Sequence, residues 1–78
     1  MTPDLLREAG EALYGPLWQS AIARDLNVND RTVRRWAAND TALPDGLVDE
    51  LKQLLRQRGL ALTAVLRKLP RAKESVHG

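Results

Sequence analysis

The chain has 78 residues, of which 44% are hydrophobic and 28% charged, the composition of one small globular domain with no room for a second. It has no cysteine, which excludes a disulfide framework and cysteine zinc sites. No apolar run approaches the ~20 residues of a membrane span, and no basic stretch leads into an apolar one at the N-terminus, so no secretory leader is expected and a cytoplasmic protein is. The net charge of +2 is small but unevenly placed. Residues 1–15 set Asp4, Glu8 and Glu11 against Arg7, Arg31 to Arg35 holds three arginines, and the end carries Arg67, Lys68, Arg71 and Lys73 against Glu74. Two basic patches on a balanced chain are the footprint of a nucleic-acid partner.

Every long segment has helical periodicity and none alternates as a half-buried strand would, so an all-α fold of four or five helices is expected. A first helix is predicted from about Pro3 to Tyr14, capped by the Thr2 hydroxyl and opened by Pro3, with Leu5, Leu6, Ala9, Ala12 and Leu13 on its inner face. Gly15-Pro16 breaks it. A second helix is predicted from about Leu17 to Leu26, facing inward with Leu17 or Trp18, Ala21, Ile22 and Leu26. Asn27-Val28-Asn29 forms a short turn, since Asn tolerates the left-handed backbone of a tight helix–helix connection. A third helix is predicted from about Asp30 to Ala38, capped by Asn29, with Asp30 in its positive first turn.

Asn39 to Pro44 reads as a loop. A fourth helix is predicted from Pro44 or Asp45 to about Gln57, striped by Leu47, Val48, Leu51, Leu54 and Leu55. Gly59 is a plausible stop, and a fifth helix would run from about Leu60 to Leu69, where Pro70 closes it. The alternative is one long helix over 45–69 that tolerates Gly59. Residues 1–70 are thus expected to form one domain, followed by a flexible basic tail over 71–78.

The function-bearing pattern is Gln19 to Ala38. Two short helices crossing steeply over a three- or four-residue turn need a small residue at the crossing, and Ala23 supplies it. Val28, Val33 and Trp36 fill the angle between them, above a floor of Ile22 and Leu26. With Val33 and Trp36 turned inward, the 100° step of a helix puts Arg31, Arg34, Arg35 and Ala38 on the opposite face, with Thr32 at its edge. Arginine gives two parallel hydrogen bonds to guanine O6 and N7, or neutralises a phosphate. Thr32 suits a phosphate or a thymine methyl.

These residues resemble the helix-turn-helix of lambda-repressor-like (Cro/C1-type, XRE) bacterial and phage regulators. Gln19 matches the Gln that opens that family's second helix and contacts a phosphate. Ala23 matches its crossing residue, and Val28, Val33 and Trp36 match its apolar positions. Asn27 departs from the family's usual Gly in the turn. The resemblance covers about a quarter of the chain. It implies a DNA-binding transcriptional regulator, most often a repressor and frequently of its own operon, as in phage and mobile-element regulators. The implied DNA-contacting positions fall on Gln19, Asn29, Asp30, Arg31, Arg34 and Arg35, to which the helical wheel adds Thr32. A dimer would occupy two half-sites about one helical turn, ~34 Å, apart, joined through the C-terminal helices, where the leucines exceed what so short a chain can cover.

Plainer readings stand beside these. Three arginines on a helix are often only a solvated face. Trp36 reads as core in preference to a base-stacking platform, and Trp18 as core in preference to a phosphate donor. Tyr14 reads as core with a wet hydroxyl. Asp30 reads as a capping residue in preference to a cytosine reader. The basic tail is either a phosphate-contacting arm or a solvated end. His77 stands alone, no nucleophile–base set or phosphate loop is visible, and no enzyme, metal site or cofactor is expected. From another class of function, the chain would be an interaction module, an antitoxin or adaptor, using its C-terminal leucine-rich helices.

Overall fold

The computed structural model describes residues 1–70, which are helical throughout their regular structure; the predicted tail over 71–78 lies outside the described residues. Helix α1 spans Pro3–Tyr14, a 3-10 turn covers Gly15–Leu17, and α2 (Trp18–Leu26), α3 (Asp30–Ala37) and α4 (Leu47–Lys68) follow.

Helix α1 begins where expected. The Thr2 hydroxyl accepts from the Leu5 N–H at 3.2 Å, which satisfies one of the free donors of a helix start. Its inner face differs from the predicted one: Leu6, Gly10 and Leu13 are buried, whereas Leu5 is half exposed and Ala12 fully on the surface. Gly10 explains the rotation. The indole of Trp18 lies flat on the bare backbone there, and a β-carbon at residue 10 would stand 2.3 Å from Trp18 Cε3. The helix therefore turns its one atom-free position toward the largest side chain.

The 3-10 turn moves the start of α2 from Leu17 to Trp18. Leu17 points to solvent at 83% exposure while Trp18 is buried at 4%, so Trp18 is the inward residue of the two. Helix α1 packs against each of the other three helices. The core is Leu6, Trp18, Ile22, Ala23, Val33, Trp36, Leu47 and Leu51, with Tyr14, Leu26, Val28 and Leu43 partly buried around it. Among the described residues no polar side chain is buried, so apolar burial and backbone hydrogen bonds hold the fold.

The C-terminal part is one helix, not two. Helix α4 runs 22 residues without interruption. Gly59 does not adopt the left-handed backbone that ends a helix, and of the described glycines Gly15 alone has a positive φ. Strong helix formers flank it (Gln57, Arg58, Leu60, Ala61), and they outweigh the ~1 kcal/mol a mid-helix glycine costs. The predicted apolar stripe therefore divides. Leu47 and Leu51 are buried and Leu54 half-buried, but every described residue from Leu55 onward is exposed.

Gly10→Ala should lower stability in urea denaturation by about 1–3 kcal/mol, because the new methyl overlaps the indole. Helix propensity alone would raise it by about 1 kcal/mol, so the sign of the change decides whether Trp18 rests on Gly10.

Candidate nucleic-acid interface

The join between α2 and α3 is built on one residue. Asn27 has φ 58° and ψ 45°, the left-handed backbone that Asn tolerates better than other side-chain-bearing residues. Its N–H bonds to the Arg24 carbonyl at 3.2 Å, and the Val28 N–H bonds to the Ala23 carbonyl at 2.9 Å. This pair of bonds is the Schellman motif, which reverses the chain and directs the following residue back onto the helix it has left. Val28 accordingly packs against the core. Asn29 then caps α3, its side-chain oxygen accepting the Arg31 N–H at 2.8 Å. Ser20 donates its hydroxyl to Asp30 Oδ2 at 3.2 Å, tying the first turn of α2 to the first turn of α3.

Behind this turn, Ala23 and Val33 have no exposed surface and Trp36 retains 6%. Their burial turns the other side of α3 to solvent. Arg31, Arg34, Arg35 and Ala38 are exposed and Thr32 is half-buried at the edge, the arrangement expected from the wheel. Among the described residues the ion pairs belong to Arg7, with Asp4 at 3.3 Å and Glu11 at 3.8 Å, so no acid engages the three arginines of α3. The helix ends as α2 does. Asn39 has φ 62°, its N–H bonds to the Trp36 carbonyl at 3.1 Å, and the Asp40 N–H bonds to the Arg35 carbonyl at 2.9 Å.

Of the predicted contact residues, the structure brings Gln19 and Arg34 together. Gln19 and Arg34 line a shared hollow of about 390 Å³ between the starts of α1 and α2 and the end of α3. Arg7 lines the same hollow, and the sequence reading passed it over. Its i,i+3 and i,i+4 pairs with Asp4 and Glu11 are those of an ordinary helix surface, and nothing local in the sequence shows that it stands beside α3. Asn29 and Asp30 sit at the α3 start with one oxygen each committed to structure. Ser20 was also overlooked. A serine near a helix start carries no signal for a partner ten residues away.

On the far side of α2, Tyr14 donates its hydroxyl to Asp25, and the Arg58 guanidinium of α4 lies over the Tyr14 ring, 5.7 Å from its centre. This small cluster links α1, the end of α2 and the middle of α4. Burial and then the Asp25 carboxylate push the Tyr14 hydroxyl up to about 12 from 10.0. A folded-state value above the unfolded one means a stabilising contribution that is complete below pH 10 and lost as pH rises toward 12.

Tyr14 is the chain's one tyrosine, so tyrosinate absorbance reads it directly. It should titrate near pH 12 in the folded protein and near 10 in urea, and Asp25→Asn should lower the folded value. At the turn, Asn27→Gly should leave the melting temperature within a degree or two. Asn27→Ala should cost about 1–2 kcal/mol through its left-handed backbone. No family model matches this chain, and no curated protein or solved structure is significantly similar to it, so its function has to be read from its own residues.

Proposed function

We propose that the chain is a sequence-specific DNA-binding transcriptional regulator, a repressor that acts as a homodimer on an inverted-repeat operator. The observation that carries this reading is the exposed face of α3, where Arg31, Arg34 and Arg35 pair with no acid among the described residues, on a helix whose opposite face buries Val33 and Trp36. A helix of this size fits the B-DNA major groove, about 12 Å wide. Arg34 and Arg35 are the base readers. Arg31, at the helix start with Asn29 and Thr32, holds phosphate.

Gln19 and Arg7, which border the same hollow as Arg34, flank the groove and position the domain on the backbone. Asp30 is spent on Ser20 and serves the fold in preference to cytosine. Such a protein represses sterically, by occupying an operator that polymerase must cross.

A second reading is favoured by one observation, the exposed leucines along the end of α4. In it the chain is an interaction module, an antitoxin or adaptor, and the arginine face is only solvated. Salt separates the two. Phosphate neutralisation releases counterions, so DNA affinity must fall steeply and log-linearly with salt.

Retention of labelled genomic fragments should be salt-sensitive and sequence-selective, and complete loss of both properties would reject DNA binding. At the selected site, Arg34→Ala and Arg35→Ala should each cost about 1–3 kcal/mol and relax discrimination there. Arg31→Ala should weaken all sequences about equally. Trp36→Ala should cost about 3–5 kcal/mol of folding stability, seen as loss of the cooperative melt whether or not DNA is present.

A further inference from the structure

Helix α4 carries a glycine that the monomer does not need. A β-carbon at Gly59 would meet nothing within 4 Å, its backbone is helical, and each such glycine weakens a helix. Among the described residues of one copy, no turn, close approach or left-handed conformation accounts for it. At 100° per residue, Gly59 shares an arc of about 60° with Val48, Leu55, Leu62 and Leu66. Leu62 and Leu66 are 63% and 69% exposed. The glycine therefore interrupts an unpartnered apolar stripe at its middle, where a second helix would come nearest.

The other half of the contact is on the body of the same chain. Where α4 leaves α1, Met1, Leu5 and Ala9 face Val48, Leu51 and Leu55 across a groove of about 170 Å³ that Lys52 also lines. Two copies of α4 laid antiparallel with Gly59 against Gly59 bring Leu66 of each copy beside Lys52 of the other, with Leu69, which caps α4, level with the first turn of the other helix. That places the projecting leucines in this groove, twice, by one symmetry operation.

Charge selects the same direction. The acids of α4, Asp49 and Glu50, are in its first turn, and every later charge, from Lys52 through Arg56, Arg58, Arg67 and Lys68, is basic. A parallel pair sets each basic residue beside its own copy. The antiparallel pair sets Asp49 beside Arg67 on the same flank of the stripe, at both ends, and opposes the two helix dipoles. Lys52 lies within the stripe, and its aliphatic stem covers Leu66 while its ammonium reaches water.

We infer that a second copy of this chain covers the α4 stripe, the two helices crossing antiparallel at Gly59 with Leu66 and Leu69 of each seated in the α1–α4 groove of the other. This rests on the dimer proposed above and gives it a geometry. Gly59 acts by letting the backbones approach, so a methyl there improves the monomer and damages the dimer.

Sedimentation equilibrium of the full chain without DNA tests the crossing. Gly59→Ala should raise helicity and melting temperature at concentrations where the chain is monomeric. It should also weaken dimerisation by about tenfold or more, the effect of an overpacked methylene at a close contact. A Gly59→Ala protein that dimerises as well as the parent overturns the crossing. The absence of native cysteine makes direction testable by disulfide trapping. A mixture of Lys52→Cys and Leu66→Cys chains should give the mixed dimer, whereas Leu66→Cys dimers alone would mean parallel helices and overturn the inference.

A parent chain that stays monomeric at high micromolar concentration would overturn both this geometry and the dimer. DNA binding is read separately, from salt-dependent retention of a single half-site duplex and its loss in Arg34→Ala, so failure of the dimer and failure of the DNA reading give different results.

Discussion

A single residue in the left-handed conformation organises the α2–α3 pair. Asn27 ends α2, and the two backbone bonds around it return Val28 to the core before α3 has begun. Had the chain continued in a right-handed conformation, α2 would have extended and Val33 would have had nothing to pack on. With the turn made, Ala23 is small enough to let α3 approach, and Val33 and Trp36 are drawn fully inside. The direction of the arginines follows from this. They face outward because their helix has one apolar side and that side is already occupied.

The remainder of the core serves to hold that crossing steady. Helix α1 touches all the other helices, and its flattest point, Gly10, receives Trp18 at the start of α2. Leu47 and Leu51 of α4 close the core from another side. Because no polar side chain among the described residues is buried, little in this core penalises alternative packings. Specificity comes from shape, from an indole on a glycine and a valine in a notch left by an alanine. Two polar contacts outside the core hold α2 at its two ends, Ser20 to Asp30 tying its start to α3 and Tyr14 to Asp25 tying its end to α1.

The parts legible in the sequence were those decided locally. Helix α1 starts and stops at the predicted residues because Thr2, Pro3 and Gly15-Pro16 act within one turn of themselves. The α2–α3 turn and the burial of Val33 and Trp36 were readable because short-range spacing governs them. The inner face of α1 was misread because a count of apolar side chains gives a glycine no weight, although Gly10 is the residue a distant indole needs. At Gly59 the sequence leaves a stop and one continuous helix both open, because a glycine's neighbours in sequence do not say whether it will use its left-handed freedom. The hollow that joins Arg7, Gln19 and Arg34 draws on three helices, and the Tyr14–Asp25–Arg58 cluster on three as well. Neither has a signature within any one segment.

The packing of α1 on α2 and of α2 on α3 has a kinetic consequence. These elements are consecutive in the chain, so their contacts close short loops and little chain entropy is lost before contacts begin to compensate. Helical domains wired in this way fold on the microsecond-to-millisecond scale. Only the docking of α4 on α1 spans most of the chain, and it joins elements that are already helical. The chain's two tryptophans, Trp18 and Trp36, are both buried in this locally wired part, so their fluorescence follows the α1–α3 assembly while far-ultraviolet dichroism is weighted toward the long α4. If the two signals relax at different rates, the α1–α3 unit forms before the helix proposed to pair two copies has docked.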